Sequence, residues 1–295
     1  MRILVGILRT IENEFDECVA SLQRQSHGYA EHFVLENLPK ESACDTLYRK
    51  FMRRSDEFDL FVKLDADMVM ERHDFLERVE QAFAARPWMK LLSLPVQDFF
   101  TNQPIFGINI FRSGVEFPLN HDGLFTDQNP VSPEESVFGM DGFDGMVSHC
   151  KDPLPFQAFH YGLHRGLKAR CGDLAGRWGR VAFHMRFHEA LWRNFTSKMD
   201  SRLGLACLGG EMALRGDFAI EHVNYANPHA AQICEGFEHL SAFELRKCIL
   251  KMRRRNFGML PWPVRLGLVN QTKKGKWLAI ASRVGSRLRR RAPLQ

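Results

Sequence analysis

Leu60-Phe61-Val62-Lys63-Leu64-Asp65-Ala66-Asp67 is a short apolar run that closes on two carboxylates one residue apart. Its length and its aliphatic and aromatic content predict a buried strand ending at Asp65. Working toward the N-terminus, Arg2 to Leu8 and His32 to Leu35 predict two further strands. Between them Asn13 or Asp16 can cap a helix that carries Phe15, Val19 and Leu22 at helical spacing and runs to Gln25. Pro39 and Ser42 start a second helix with Leu47, Tyr48 and Phe51 on one side. Beyond the quoted run follow a helix from about Asp74 to Ala85 and strands over Lys90 to Val96 and Ile105 to Phe111. This alternation predicts an α/β fold with parallel strands, right-handed crossovers and ligands outside the carboxyl ends of the strands. Asp65 and Asp67 then lie at the ligand edge, and two hard oxygen donors so spaced suit Mg²⁺ or Mn²⁺ on a phosphate.

From Gly114 to Pro155 the chain is rich in Asp, Gly and Pro, as in Asn120-His121-Asp122-Gly123 and Asp141-Gly142-Phe143-Asp144-Gly145, a composition of functional or mobile loops. Phe156 to about Leu214 reads as mostly helical, with a short strand predicted over Phe218 to Val223. No repeat or low-complexity segment interrupts the chain.

The 295 residues, 45% hydrophobic and 25% charged, fit a globular protein and exclude collagen-like, disordered and small disulfide-stapled classes. No run reaches the roughly 18 to 20 apolar residues of a membrane-spanning helix, and the Met1 to Arg9 stretch is too short for a signal peptide. The expected location is cytoplasmic. Seven cysteines, an odd number with no C-x-x-C pair, argue against a disulfide framework and a structural zinc site and are expected to be reduced. The net charge of +5 hides an asymmetry, because 15 of the 40 Lys and Arg and none of the 35 Asp and Glu fall after residue 245. The body is therefore acidic and the tail an attachment surface for something anionic.

Three motifs in order and register over about residues 1 to 112 resemble the GT-A glycosyltransferases, family 2 in particular. Arg9-Thr10-Ile11-Glu12-Asn13-Glu14 with Ser21-Leu22-Gln23-Arg24-Gln25 resembles the family's opening motif, Val34-Leu35-Glu36-Asn37 its base-binding strand end, and Val62 to Asp67 its D-x-D strand. The resemblance implies a GT-A fold (Rossmann-like, with a mainly parallel sheet flanked by helices) and a helical C-terminal region. It implies that Thr10 and Glu12 line the nucleotide pocket, that Glu36 contacts base or ribose, and that Asp65 and Asp67 hold Mn²⁺ or Mg²⁺ on the diphosphate. Lys63 is open between the edge of the core and the phosphates. The metal stabilises the charge that develops on the leaving diphosphate.

An inverting transferase needs a general base, which the family supplies as E-D at the start of a helix; here the matching stretch, Pro155 to Lys168, has Gln157 in that place. The base is therefore expected at Asp144, with Asp141, Asp152 and His160 as alternatives. A late histidine in the metal shell is expected at His222 or His149. His184 and His188, at i and i+4, read as a helix face without a third ligand.

Trp277, Ile280, Ala281, Val284 and Leu288 recur at helical spacing against Arg283, Arg287 and Arg289 to Arg291, the make-up of an interfacial helix on anionic lipid. Nucleic acid is not expected as a partner, since no recognition signature is present. The expected divisions are a catalytic domain over 1–172, a helical acceptor-side region over 173–245 and the basic tail over 246–295. The sequence thus points to a metal-dependent, inverting glycosyltransferase, peripheral at the inner face of a membrane, that moves sugar from a nucleotide-sugar onto a glycan or lipid-linked acceptor in surface-polysaccharide assembly. Two alternatives remain: a haloacid-dehalogenase-type phosphatase with Asp65 as nucleophile, since Asp65-Ala66-Asp67-Met68-Val69 also fits D-x-D-x-T/V, and a catalytically silent relative that only binds.

Overall fold

The computed structural model describes residues 1–28, 31–119, 123–125, 129–174, 178–225 and 227–259. The first five elements are β1 (Ile3–Arg9), α1 (Phe15–Gln23), β2 (Glu31–Glu36), α2 (Lys40–Arg53) and β3 (Leu60–Asp65). β1 is the axis of this half. It pairs in parallel with β2 and with β3, in a register that aligns Arg9 with Glu36 and Leu8 with Asp65. Three chain ends therefore meet along one carboxyl edge. Side-chain alternation along β1 explains why both faces of the sheet are covered. Ile3, Val5 and Ile7 enter a core with Leu22, Phe75 and Val79, while Leu4 joins Leu47, Phe51 and Phe61 on the opposite face.

The sheet continues through β4 (Met68–Met70), β5 (Leu91–Asp98), β6 (Gln103–Arg112), β7 (Ser136–Phe138) and β8 (Val147–His149), with α3 (Phe75–Ala84) between β4 and β5. The strand order is β2-β1-β3-β6-β5-β8-β4, with β7 on β5. β6 runs antiparallel to both β3 and β5. A four-residue link between β5 and β6 is too short for a crossover, so these two strands form a hairpin. The result is the expected α/β layout: a Rossmann-like parallel half, antiparallel strands β6 and β4, and a helical C-terminal region.

That region holds α4 (Pro155–Leu174), α5 (Trp178–Lys198), α6 (Ser201–Arg215), α7 (Pro228–Glu235) and α8 (Ala242–Met259). Asp200 caps α6 by accepting from the Arg202 amide at 2.8 Å, and Gly216 ends it in the left-handed region at φ 99°. α4 and α6 approach closely enough that only glycine fits between them. A Cβ on Gly162 would overlap the Ala206 carbonyl, and one on Gly209 would overlap the Phe159 carbonyl.

Three expectations change here. Phe218 to Val223 is not a strand: Ile220–Val223 is a 3-10 turn. The His222 ring accepts from the Ala219 amide at 2.9 Å, so the backbone group a ladder would need is spent locally. The division at 172/173 falls inside α4 and that at 245/246 inside α8. Arg253 of the basic segment turns inward, to the carboxylates of Glu211 (2.9 Å) and Glu189, and Asn256 and His188 also bond Glu211. The helix expected around Trp277 to Leu288 lies outside the described residues. None of the seven cysteines forms a disulfide. Among the described residues no helix is long and apolar enough to cross a membrane.

The backbone-to-backbone seam between α4 and α6 has no soft side chain to absorb a methyl group. Gly162→Ala is expected to cost about 3 kcal/mol or more, the upper end for overpacking. Gly28→Ala, where an added Cβ meets nothing within 4 Å, serves as the control and should stay close to wild type. Urea denaturation midpoints of both variants check this.

Candidate active site

The carboxyl edge of β1, β2 and β3 opens into a cavity of about 370 Å³ whose opposite wall is α4. This lies in the size range of ligand sites, about 300–1,000 Å³. On the sheet side it is lined by Arg9, Thr10, Glu12, Lys63, Asp65 and Asp67, and on the helix side by Gln157, His160, Tyr161, His164, Arg165 and Lys168. The second set recurs every three to four residues, so it forms one stripe along α4.

Each sheet-side group has a local reason for its position. The Glu12 carboxylate folds back to accept from the Thr10 hydroxyl at 2.7 Å and from the Thr10 amide at 2.5 Å, closing the turn after β1. Burial pushes the Glu12 carboxyl up, and the Asp67 charge pushes it the same way. Lys63 and Asp65, two apart on β3, point to the same side. The Lys63 amine, 4% exposed, donates to Asp65 Oδ1 at 2.9 Å. Lys63 is thus a cavity residue. Arg9 donates to Glu36 across the β1-β2 register at 2.9 Å. Glu36 is exposed and does not border the cavity, which Leu35 and Leu38 reach instead.

Asp67 sits in the turn between β3 and β4, where His149 and Cys150 meet it. His149 Nε2 is 3.4 Å and the Cys150 thiol 2.9 Å from Asp67 Oδ2, and the thiol is 3.6 Å from His149 Nε2. Consecutive strand residues normally face opposite ways. Cys150, just past β8, has φ 52°, a left-handed turn that brings its side chain to the side of His149. The Cys150 amide donates to the Asp67 carbonyl at 2.8 Å and locks that turn. Behind His149, Nδ1 is 2.7 Å from Asp98 Oδ1. The other Asp98 oxygen accepts from the Thr101 hydroxyl at 2.6 Å and amide at 2.7 Å.

Burial alone would raise the Asp67 and Asp98 carboxyls, but the facing His149 outweighs it and holds both below the ordinary value. Burial pushes the Cys150 thiol well up, and Asp67 adds to this, so the thiol is a neutral donor to Asp67. Asp67 Oδ1 is buried with no hydrogen-bond partner among the described residues. A carboxylate with an unused oxygen, a histidine oriented from behind by a second carboxylate, and a thiol form a donor set that fits a divalent metal ion. Asp67, His149 and Cys150 would hold it, while Asp65 Oδ1 accepts from the Lys63 amine.

The other expected site residues lie elsewhere. His222 is spent on its own turn and does not border the cavity. Asp141 and Asp144 are exposed in a loop that packs Phe143 against Phe75, and neither borders the cavity. Asp152 pairs with Arg202 at 2.6 Å, outside the cavity. Gln157 donates to buried Glu14 at 2.9 Å, tying the loop after β1 to the start of α4. His160 does line the cavity: its Nε2 donates to the Val223 carbonyl at 2.7 Å, and its ring stacks on Tyr225 at 3.7 Å. Tyr161, Arg165 and Lys168 were not singled out from the sequence, although their helical spacing with His160 is a signal that could have found them. The Asp98-His149 pair carried no comparable local signal.

No protein-family model and no curated protein matches the chain. Among solved structures it is similar to the mannosyltransferase PcManGT from Pyrobaculum calidifontis in complex with GDP-Man and Mn²⁺, at 13% identity and TM-score 0.34, covering 80% of this chain and 79% of that one. It is also similar to a CMP-2-keto-3-deoxy-manno-octonic acid synthetase complexed with CTP, at 12% identity and TM-score 0.27, covering 38% of this chain and 75% of that one.

Proposed function

We propose that the protein is a metal-dependent glycosyltransferase that moves a sugar from a nucleotide-sugar donor to a glycan or glycolipid acceptor with inversion. The observation that carries this reading is one cavity joining Thr10, Glu12, Lys63 and Asp67 at the carboxyl edge to the basic stripe of α4. A nucleoside diphosphate needs both halves: a carboxylate side that takes a cation, and a cationic side that takes phosphate oxygens. A bound divalent ion, Mn²⁺ or Mg²⁺ on a reading of the carboxylates alone, would supply Lewis-acid neutralisation of the departing diphosphate. Arg165 and Lys168 face the same space from α4 and orient the phosphates. The turn of Thr10 and Glu12 shapes the nucleoside end.

Inversion needs a proton acceptor on the acceptor side. His160 is our candidate. It lines the cavity from α4, and its Nε2 donates to the Val223 carbonyl at 2.7 Å, which fixes the orientation of the ring at the cavity wall. The segment over 246–295, with its excess of Lys and Arg, would hold the enzyme on an anionic membrane at the inner face, where a lipid-linked acceptor of surface-polysaccharide assembly is presented.

A ligand that binds only the folded state raises the melting temperature, so a panel of nucleotides and sugar nucleotides needs no known acceptor. One nucleotide class is expected to stabilise the protein in a metal-dependent way, with the shift lost in Asp67→Ala. If none does, and phosphate monoesters are turned over in a manner that Asp65→Asn abolishes, the phosphatase reading replaces this one. With the donor so identified, His160→Gln should slow donor hydrolysis by about 10²–10⁴-fold, the usual worth of a general base. The donor's melting shift should persist in that variant. Unchanged hydrolysis would remove His160 from the mechanism, and metal-dependent binding without any turnover would favour the silent relative.

A further inference from the structure

The two carboxylates after β3 predict a hard cation, but the structure surrounds Asp67 differently. Its Oδ2 faces an imidazole nitrogen at 3.4 Å and a thiol sulfur at 2.9 Å. We propose that Cys150 is itself a metal ligand, as thiolate, and that with Asp67 and His149 it forms an open three-ligand site selecting a borderline cation of the Zn²⁺ or Co²⁺ class over Mg²⁺.

Bond geometry carries the assignment. Around a tetrahedral ion with bonds of about 2.3 Å to sulfur and about 2.0–2.1 Å to nitrogen and oxygen, the nitrogen-oxygen edge is about 3.4 Å and the sulfur-nitrogen edge about 3.6 Å. The observed separations are 3.4 Å between His149 Nε2 and Asp67 Oδ2 and 3.6 Å between Cys150 Sγ and His149 Nε2. Two of the three edges already fit. The third, sulfur to Asp67 Oδ2, is short at 2.9 Å because the thiol proton bridges the two atoms. On binding, the S–H bond breaks, a sulfur-metal bond forms, the proton leaves to solvent, and this edge opens toward the tetrahedral length.

Supporting contacts behind the ligands point the same way. His149 is oriented through Nδ1 by Asp98, which is fully buried, so Nε2 is the nitrogen presented. The buried amide of Gln157 reaches the Cys150 sulfur at 3.7 Å, a donor suited to a thiolate. Asp67 Oδ1 has no partner among the described residues. Asp67, His149 and Cys150 all border the cavity, so a three-ligand ion there keeps a coordination position for a ligand oxygen. Thiolate and imidazole donors favour Zn²⁺ and Co²⁺, whereas Mg²⁺ takes oxygen donors and sheds water reluctantly.

The inference rests on the reading of Asp67 as a metal ligand, and its test uses metals alone, without nucleotide. Full-length protein equilibrated with Co²⁺ should show the near-ultraviolet thiolate-to-cobalt charge-transfer band together with intense visible absorption of a tetrahedral centre. Cys150→Ser, shown to be folded by circular dichroism and melting temperature, should lose the charge-transfer band and bind Zn²⁺ at least about tenfold more weakly, a loss that outer-shell changes alone can reach. Dialysis against equimolar Mg²⁺, Mn²⁺ and Zn²⁺ should leave zinc as the retained ion in the wild type. Absence of the charge-transfer band in the wild type, or its survival in Cys150→Ser, would overturn the proposal. The wild-type spectrum decides by itself if the variant does not fold. A protein that binds nucleotide with Mn²⁺ but gives no thiolate band refutes the cysteine ligand and leaves the transferase reading standing.

Discussion

A carboxylate in the turn after a buried strand must be compensated or the strand end is destabilised, and Asp67 meets this through His149 and Cys150. The compensation does not stop at the first neighbour. His149 leans on Asp98, Asp98 takes both the hydroxyl and the amide of Thr101, and the Tyr161 hydroxyl approaches Asp98 Oδ2 at 3.4 Å. This chain crosses from the turn after β3 through β8 and β5 to α4. One half-buried charge thereby fixes the relative position of the sheet edge and the helix that closes the cavity. Removing any inner member leaves a buried polar group unmatched, which costs about 1–3 kcal/mol and more for a charged one.

The helix wall is set by a second constraint of a different kind. Gly162 and Gly209 let α4 and α6 touch through their backbones, so α4 cannot slide or rotate without collision. The cavity-facing stripe from Gln157 to Lys168 lies on this immobilised helix. Glu14, at the start of α1, accepts from Gln157 at 2.9 Å and from the Asp152 amide at 2.9 Å, pinning the beginning of α4 to the loop after β1. Polar contacts at one end and close packing along the length thus hold the two walls at a fixed separation.

How much of this was legible depended on the range of the interaction that carries each feature. The first three strands and two helices follow from short-range periodicity, and their bounds fall within two residues of the expected ones. Asp65 and Asp67 were placed because strand ends in an α/β sheet share an edge, while the side on which Lys63 lies stayed open until the fold set it on the cavity. His149 was one of two histidines considered, and the sequence could not rank it over His222: one is aimed by Asp98, 51 residues away, the other is consumed by an amide three residues away. Cys150 was hidden twice, by the absence of a paired cysteine motif and by a left-handed backbone turn that no glycine announces. Asp141 and Asp144 were chosen as acids near the expected helix start, but proximity along the chain says nothing about which side of a loop faces the site. Glu36 reached the right edge and turned to Arg9 instead of the cavity.

The charge arrangement of the cavity leads to one more consequence. Its sheet side carries three carboxylates, Glu12, Asp65 and Asp67, and only Asp65 is matched by a lysine within the cavity. An anion entering alone would meet Glu12 and Asp67, and a cation entering alone would face Arg165 and Lys168. Each ligand is opposed by what the other would neutralise. Bound together, the cation offsets Asp67 and Glu12 while the anion faces Arg165 and Lys168 across the cavity. On the proposed function, metal and nucleotide therefore bind with positive coupling, and because coupling between two ligands is reciprocal, each raises the affinity of the other by the same factor. That coupling follows from a single geometric fact: the acidic edge and the basic helix face the same space.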